Sequence, residues 1–366
     1  MGYYMLKHNP FLNYSRWKNK AVSNPFCGPL LEAVTYDYIN CSLVQEKVSV
    51  YNCEILPTYE FTSSFLVDIL KSYLDKRSLD KYSSDKDSTV LDLGCGTGNG
   101  TRMLRRAFLG KIIGIDQSAS MLEVAEYKFH QNENFNQELE QALNRVDEQL
   151  PERLREYWDT FRCETVDNDV TFLQHDIRTL DLQCLNEERQ ASAAISNHAL
   201  HWVHEDWPQT FTSIAGVLQN GAPLIWTTAS DFVDSRQFPS EKYSWRYSTL
   251  IEMVGEKLQE RGFDVKSYLT LRKPIYTEDE VKEIVDQNGF LCTIHTPILN
   301  PKDLRYILDF YLPLAIQGLI NTEIDAVELV VLNREIVSSL IRERDNVFTD
   351  LQHKYDVNPV FVCIKK

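Results

Sequence analysis

The chain has 366 residues, of which 43% are hydrophobic and 25% charged, an ordinary globular composition that excludes an intrinsically disordered chain. Its 38 basic and 53 acidic side chains leave a formal net charge of −15, which disfavours phosphate backbones and anionic membrane surfaces as partners. No apolar run approaches the roughly 20 residues of a membrane-spanning helix, and eight scattered cysteines without a C-x-x-C pair suit reduced thiols, so a cytoplasmic setting without a secretory signal is expected.

Residues 1–86 read as an N-terminal cap, aromatic-rich and including the alternating stretch Lys47–Tyr51. Thr89–Gly94 (TVLDLG) is a short apolar run ending in glycine, the pattern of a buried strand. Thr101–Phe108 has helical spacing, with Met103, Leu104 and Ala107 on one face, and Lys111–Asp116 (KIIGID) is a second strand ending in an acid. Strand, crossover helix and strand within about 27 residues make a βαβ unit and hence a parallel sheet. A helix follows from Ser118 or Ser120. Residues 130–168 are polar, with Leu139, Leu143, Val146, Leu150 and Leu154 at near-helical spacing, and predict an amphipathic insertion serving either closure over the site or a homodimer. Further strands are predicted at Val170–Leu173, Ala191–Ser196 and Ala222–Thr228, with a helix over Phe211–Leu218. This alternation predicts a doubly wound α/β core over 87–240, with ligand at the carboxyl edge of its sheet. Residues 241–366 read as a helical cap plus the final strands of the sheet, the last of them over Pro359–Ile364.

The loop between the first strand and its helix is Asp92-Leu93-Gly94-Cys95-Gly96-Thr97-Gly98-Asn99-Gly100. Glycines at alternate positions allow a sharp turn and a close backbone approach to a ligand. The dinucleotide fingerprint G-x-G-x-x-G fails in both registers, because Asn99 or Thr101 stands where its third glycine belongs, and no Gly-Lys-Ser/Thr follows for a phosphate-binding Walker loop. Asp92, just before the glycines, would repel a pyrophosphate but suits a cationic amino-acid group. Asp116, ending the second strand, can accept both hydroxyls of a ribose. A nucleoside carrying an amino acid and no phosphate meets both demands, and S-adenosylmethionine is such a molecule.

VLDLGCGTGNGT followed by IIGIDQSASMLEVA resembles the first two motifs of class I S-adenosylmethionine-dependent methyltransferases. The resemblance covers about residues 87–230 and implies a mostly parallel, seven-stranded Rossmann-like methyltransferase sheet with helical lid elements. It also implies that Gly94, Gly96 and Gly98 hold the methionine part, that Asp116 holds the ribose and that Met121 covers the adenine; Asp92 and Gln117 are further candidate cofactor-binding residues. Gln174-His175-Asp176-Ile177 matches the third motif, which puts Asp176 and Ile177 near the adenine amino group. Ile195-Ser196-Asn197 matches the fourth-strand end, where Asn197 faces the sulfonium.

Asn197-His198-Ala199-Leu200-His201-Trp202-Val203-His204 follows that strand. On an α-helix, steps of three drift by about 60° each, so three histidines would not share one metal ion and no metal site is expected. The words N-x-A-L-H-W-V resemble methyltransferases acting on small carboxylic acids, of the trans-aconitate and juvenile hormone acid types. By that likeness Trp202, and next to it His201, contact the acceptor. His201, Trp202 and His198 are the candidate catalytic residues, and Tyr51, Trp202, Trp226 and Tyr311 the candidate substrate-binding ones. The expected acceptor is a small lipophilic or aromatic molecule methylated at oxygen. A carboxylate needs no base, whereas a hydroxyl or amine would draw on His198, His201 or His204. Competing expectations are N- or C-methylation of a natural product or carrier-bound substrate and a non-catalytic cofactor-binding module. Nucleic acid is not expected, since the basic runs Arg16–Lys20 and Thr101–Arg106 are short.

Overall fold

In a computed structural model, the structure describes residues 58–75, 88–130, 169–185, 189–229, 232–238, 247–265, 275–301, 312, 316, 319–320, 326–343 and 355–366. Apart from His130, the insertion expected over 130–168 lies outside the described residues, as do Tyr51 and Tyr311.

The strands are β1 (Thr89–Leu93), β2 (Lys111–Asp116), β3 (Val170–Gln174), β4 (Ala193–Asn197), β5 (Pro223–Thr227), β6 (Val233–Asp234), β7 (Tyr276–Thr277), β8 (Phe290–Pro301) and β9 (Tyr355–Lys365). Between them run the helices α1 (Thr58–Asp75), α2 (Asn99–Ala107), α3 (Ala119–His130), α4 (Trp207–Val217), α5 (Tyr247–Glu260), α6 (Glu278–Gln287) and α7 (Ala326–Glu343). Seven strands form one sheet in the order β3-β2-β1-β4-β5-β9-β8. β1 to β5 are parallel, and β9 runs antiparallel to both β5 and β8.

The short central strands are apolar on both faces because helices cover both. On one side Val90, Ile112, Ile195 and Ile225 pack with Leu66, Leu70 and Leu74 of α1 and Met103 and Leu104 of α2. On the other side Leu91, Ile113, Ala194 and Trp226 pack with Trp207 and Phe211 of α4 and Val281 and Val285 of α6. Alternate residues of one strand thus feed two cores, which is why the strands read as continuous apolar runs. A separate cluster joins Leu250, Val254 and Leu258 of α5 to Ile336 and Leu340 of α7.

The strand order reverses between β1 and β4, since the chain passes outward to β2 and β3 on one side and to β5 on the other. At such a switch point the two flanking crossovers leave a crevice at the carboxyl ends of the strands. β8, an edge strand, is one of the final strands expected within 241–366, at a place the residue pattern does not mark. It carries Pro297 and Pro301, residues an edge tolerates because one row of N–H groups needs no partner there.

β6 and β7 pair as a small parallel ribbon outside the main sheet. Its exit is fixed by a capping box on α6, in which Thr277 Oγ1 accepts from the Glu280 N–H at 3.3 Å and the Glu280 carboxylate accepts from the Thr277 N–H at 2.7 Å. The Thr277 hydroxyl also donates to that carboxylate at 2.9 Å, and with the Thr277 N–H it holds the Glu280 carboxyl below its ordinary range. Thr277→Ala is therefore expected to cost about 1 kcal/mol in urea denaturation.

Candidate functional site

After β1 the chain turns over the end of β2. The N–H groups of Gly94 and Cys95 both donate to the Ile115 carbonyl, at 2.7 and 3.0 Å. The next N–H, of Gly96, donates to Asp116 Oδ2 at 2.9 Å, while Asp116 Oδ1 accepts from the Ser118 N–H at 2.8 Å. Asp116 thereby ties the glycine loop to the entry of α3. Gly94, at φ +70°, lies against the backbone that leaves β4, so close that a Cβ on it would sit 2.1 Å from the Ala199 Cβ. Gly96, at φ +53°, has nothing within 4 Å of where its Cβ would stand. Gly98 precedes α2 as its N-cap and packs beneath Phe129.

Asp92 is buried, and its carboxylate is committed to the loop rather than exposed to a ligand. Oδ2 accepts from the Thr101 hydroxyl at 2.8 Å, and the carboxylate lies against the Gly100 backbone. Burial raises its pKa to about 7; the Thr101 hydroxyl opposes the shift and the neighbouring Asp116 charge adds to it.

Along the β2–β3 edge, Gln117 is exposed and its carbonyl accepts from Gln174 Nε2 at 3.3 Å. Met121 is half-buried and its N–H donates to Ser118 Oγ. Asp176 was expected at an adenine amino group, yet its carboxylate is engaged by Arg178. It accepts from Nε at 2.9 and 3.0 Å, from Nη2 at 2.6 Å and from the Arg178 backbone N–H at 2.9 Å. These bonds, with the guanidinium charge, hold the Asp176 carboxyl below its usual range. Arg178 Nη1 also donates to Asp206 at 2.9 Å, joining the turn after β3 to the turn after β4. Ile177 is buried beside it.

At the carboxyl end of β4, Asn197 Nδ2 donates to Thr62 Oγ1 and to Ser63 Oγ, each at 2.8 Å. His198 follows at φ +54°, a left-handed conformation unusual outside glycine, and its N–H donates to the Thr227 carbonyl at 3.2 Å. Leu200–Asp206 is a 3₁₀ helix interrupted at Val203, not the α-helix from which the drift of the histidines was reckoned. Across that break His201 and His204 both meet Phe232, with ring centroids at 4.4 and 6.0 Å. His204 also meets Tyr276 of β7 edge-on at 6.2 Å, and Tyr276 packs on Trp207 at 4.7 Å.

Among the described residues, neither His201 Nδ1 nor His204 Nδ1 has a hydrogen-bond partner although both atoms are buried. Burial drives the His201 pKa down to about 3, with the His198 and His204 rings adding to the effect. Trp202, beside His201 at 5.0 Å, is 77% exposed. The other tryptophan expected at the acceptor, Trp226, is withdrawn from the site. It has no exposed surface, stacks on Phe361 at 4.5 Å and packs against Trp207 and Phe211, because its position on β5 faces the core beneath α4.

The structure thus gathers the glycine loop, Asp116, Asn197, His198, His201 and Trp202 around the carboxyl edge of β1, β2 and β4. It adds Thr62, Ser63, Arg178, Phe232 and Tyr276, which reach this edge from distant segments and carried no local motif. Among the described residues, no group of three or more His, Cys, Asp or Glu side chains is arranged to hold a metal ion. No described helix is long and apolar enough to cross a membrane.

Residues 64–293 match the family described as "Methyltransferase domain". Comparison with curated proteins returned no match. Among solved structures, the YcgJ protein of Bacillus subtilis is 15% identical, over 81% of this chain and 99% of that one, with a TM-score of 0.39. Geranyl diphosphate C-methyltransferase of Streptomyces coelicolor A3(2) is 14% identical over 82% and 78%, with a TM-score of 0.38. Phosphoethanolamine N-methyltransferase 2 of Haemonchus contortus is 16% identical over 81% of this chain and 52% of its own length, with a TM-score of 0.35.

Proposed function

We propose an acceptor chemistry for this chain, which belongs to the methyltransferase-domain family and is an S-adenosylmethionine-dependent methyltransferase. Our reading is that it methylates a small lipophilic or aromatic molecule at oxygen, and that this oxygen belongs to a carboxylate.

The switch-point residues fit the methyl donor on one observation in particular. Gly96, just after β1, has nothing within 4 Å of where a Cβ would stand, so a ligand can approach its backbone closely from that side. We assign Gly94, Gly96 and Gly98 to forming a cradle there, Asp92 to bracing it through Thr101, and Asp116 and Gln117 to the ribose side. Met121, Asp176 and Ile177 are assigned to the base side, and Asn197 to the cationic sulfur. When bound, S-adenosylmethionine supplies a methyl group already activated by a positively charged leaving group, so the chain's task is alignment of the acceptor.

The observation that carries the carboxylate reading is the state of His201. An efficient general base has a pKa near the working pH, and an imidazole held at about 3 is far from it. His201 stays neutral, stacked on Phe232, and can orient an acceptor without taking its proton. A carboxylate arrives as an anion and asks for nothing more. Trp202, Phe232 and Tyr276 offer aromatic surface to its body, which supports a lipophilic or ring-bearing acceptor. The likeness of residues 197–203 to carboxylic-acid methyltransferases supports the same reading.

The test is transfer of labelled methyl from S-adenosylmethionine to a panel of lipophilic carboxylic acids and their hydroxyl and amino analogues. The expected product is a methyl ester, whose label mild alkali releases as methanol. An alkali-stable label would overturn the carboxylate assignment. His201→Gln is expected to keep turnover at pH 7.5 within about threefold of the parent protein. A loss of the 10²–10⁴-fold size that follows removal of a general base would instead put the proton on His201. Because the folded pKa lies below the unfolded value of 6.5, His201 also withdraws stability as pH falls below about 6.5, and the glutamine variant should resist acid better.

A further inference from the structure

Asn197 is held by a helix that precedes the first strand of the sheet. α1 packs on β4 and β5, anchored by Leu66, Val67, Leu70 and Leu74 in the core shared with α2. From that fixed base Thr62 and Ser63, both fully buried, direct their hydroxyl oxygens at one nitrogen, Asn197 Nδ2, each at 2.8 Å. A carboxamide has two N–H donors, and here both are given to α1. The terminal torsion of asparagine is otherwise broad and roughly two-fold, so an amide without such partners would rotate. Because the group is planar, fixing its N–H end also fixes the direction of its carbonyl oxygen. The partial negative charge of that oxygen is thereby oriented in advance, the condition under which a dipole discriminates between charge states.

We infer that Thr62 and Ser63 are positioning residues that lock the Asn197 carboxamide so that its dipole favours a positively charged sulfur over a neutral one. The inference rests on the reading above that the β4 edge faces the cationic sulfur. It assigns to α1, outside the glycine-loop motifs, a part in distinguishing the methyl donor from its demethylated product. Release of product would be helped by the same arrangement, since the neutral thioether gains nothing from the oriented carbonyl.

The experiment is calorimetric titration of the full chain with S-adenosylmethionine and, separately, S-adenosylhomocysteine, which share every group except the sulfonium methyl. Thr62→Val with Ser63→Ala is expected to lower the ratio of the two affinities at least fivefold while S-adenosylhomocysteine binds within twofold of the parent protein. Thr62→Ser, which keeps the hydroxyl, is expected to keep the parent ratio. A ratio unchanged in the double variant overturns the inference, and so does an equal fall in both affinities, the signature of a merely structural prop. Should the double variant not fold, Ser63→Ala alone is expected to shift the ratio two- to threefold, and an unshifted ratio there is equally fatal. Failure of the parent protein to bind either nucleoside would instead refute the cofactor assignments themselves.

Discussion

Alanine at Gly94 is expected to destroy the fold around the loop, whereas alanine two residues later, at Gly96, is expected to destroy only ligand binding. Both glycines sit at positive φ, where an L side chain costs about 1–2 kcal/mol. They differ in what a methyl group would meet. At Gly94 it would lie 2.1 Å from the Ala199 Cβ and 3.5 Å from the Ala199 Cα, although carbon atoms settle at about 3.5–4.0 Å. Neither partner is the tip of a flexible side chain, so the loop and the chain leaving β4 must separate. Forced overpacking of this kind costs about 1–3 kcal/mol beyond the backbone strain, a large share of the 5–15 kcal/mol that typically holds a domain together. At Gly96 nothing lies within 4 Å, and only the backbone strain remains. Gly94→Ala should therefore show a markedly lower thermal midpoint, partly recovered by adding Ala199→Gly. Gly96→Ala should melt within a few degrees of the parent protein yet bind S-adenosylhomocysteine at least 100-fold more weakly in calorimetry. Undiminished binding by Gly96→Ala would show that the bare backbone there is not the cofactor's seat.

Asp92→Asn is expected to stabilise the protein, by an amount that grows as pH rises from about 4 to 7. Burial raises the Asp92 carboxyl from 3.8 to about 7 in the folded chain. Below pH 4 both folded and unfolded states hold the proton, and the stability linked to this group is fully present. As pH rises from about 4 to 7, the unfolded chain gives up its proton while the folded chain keeps it, so stability falls by an amount on the order of 4 kcal/mol and then levels off. Asparagine retains an acceptor for Thr101 and carries no charge, so it removes this slope. In urea denaturation, the advantage of Asp92→Asn over the parent protein should widen by about 3 kcal/mol between pH 5 and pH 7.5. An advantage that does not change with pH would mean that the carboxyl titrates as an ordinary exposed aspartate. The parent protein accepts this cost at the turn that braces its glycine cradle, where Thr101 and the Gly100 backbone crowd the carboxylate.

The aromatic and acidic residues around the edge divide into those with local signatures and those without. Trp202 and Trp226 look alike in sequence, each within a few residues of a strand end. One is open and the other sits in the core, because in a strand covered on both faces neither alternate position is polar and the pattern does not tell which core a side chain enters. Asp176, two residues after β3, is legible as an acid near a strand end, but its ion-pair chain through Arg178 to Asp206 is not, since the two turns are 28 residues apart. The histidine spacing was legible and its helix type was not. A run of seven residues is too short for hydrophobic periodicity to separate 3.0 from 3.6 residues per turn, and nothing in it announces the break at Val203.

By itself, then, the order of residues determined the βαβ unit, the glycine loop with its flanking acids, the parallel strands β1 to β5 and the last strand. Each of these is written in a contiguous stretch by burial on both faces, by the need for a residue without a Cβ, or by helical spacing. Only the tertiary structure decided that Thr62 and Ser63 grip Asn197 across 135 and 134 positions of chain, that Phe232 stacks on His201, and that β8 closes the sheet. Contacts of that span leave no periodicity behind, because their energy depends on where packing delivers two distant segments and not on what lies beside either of them.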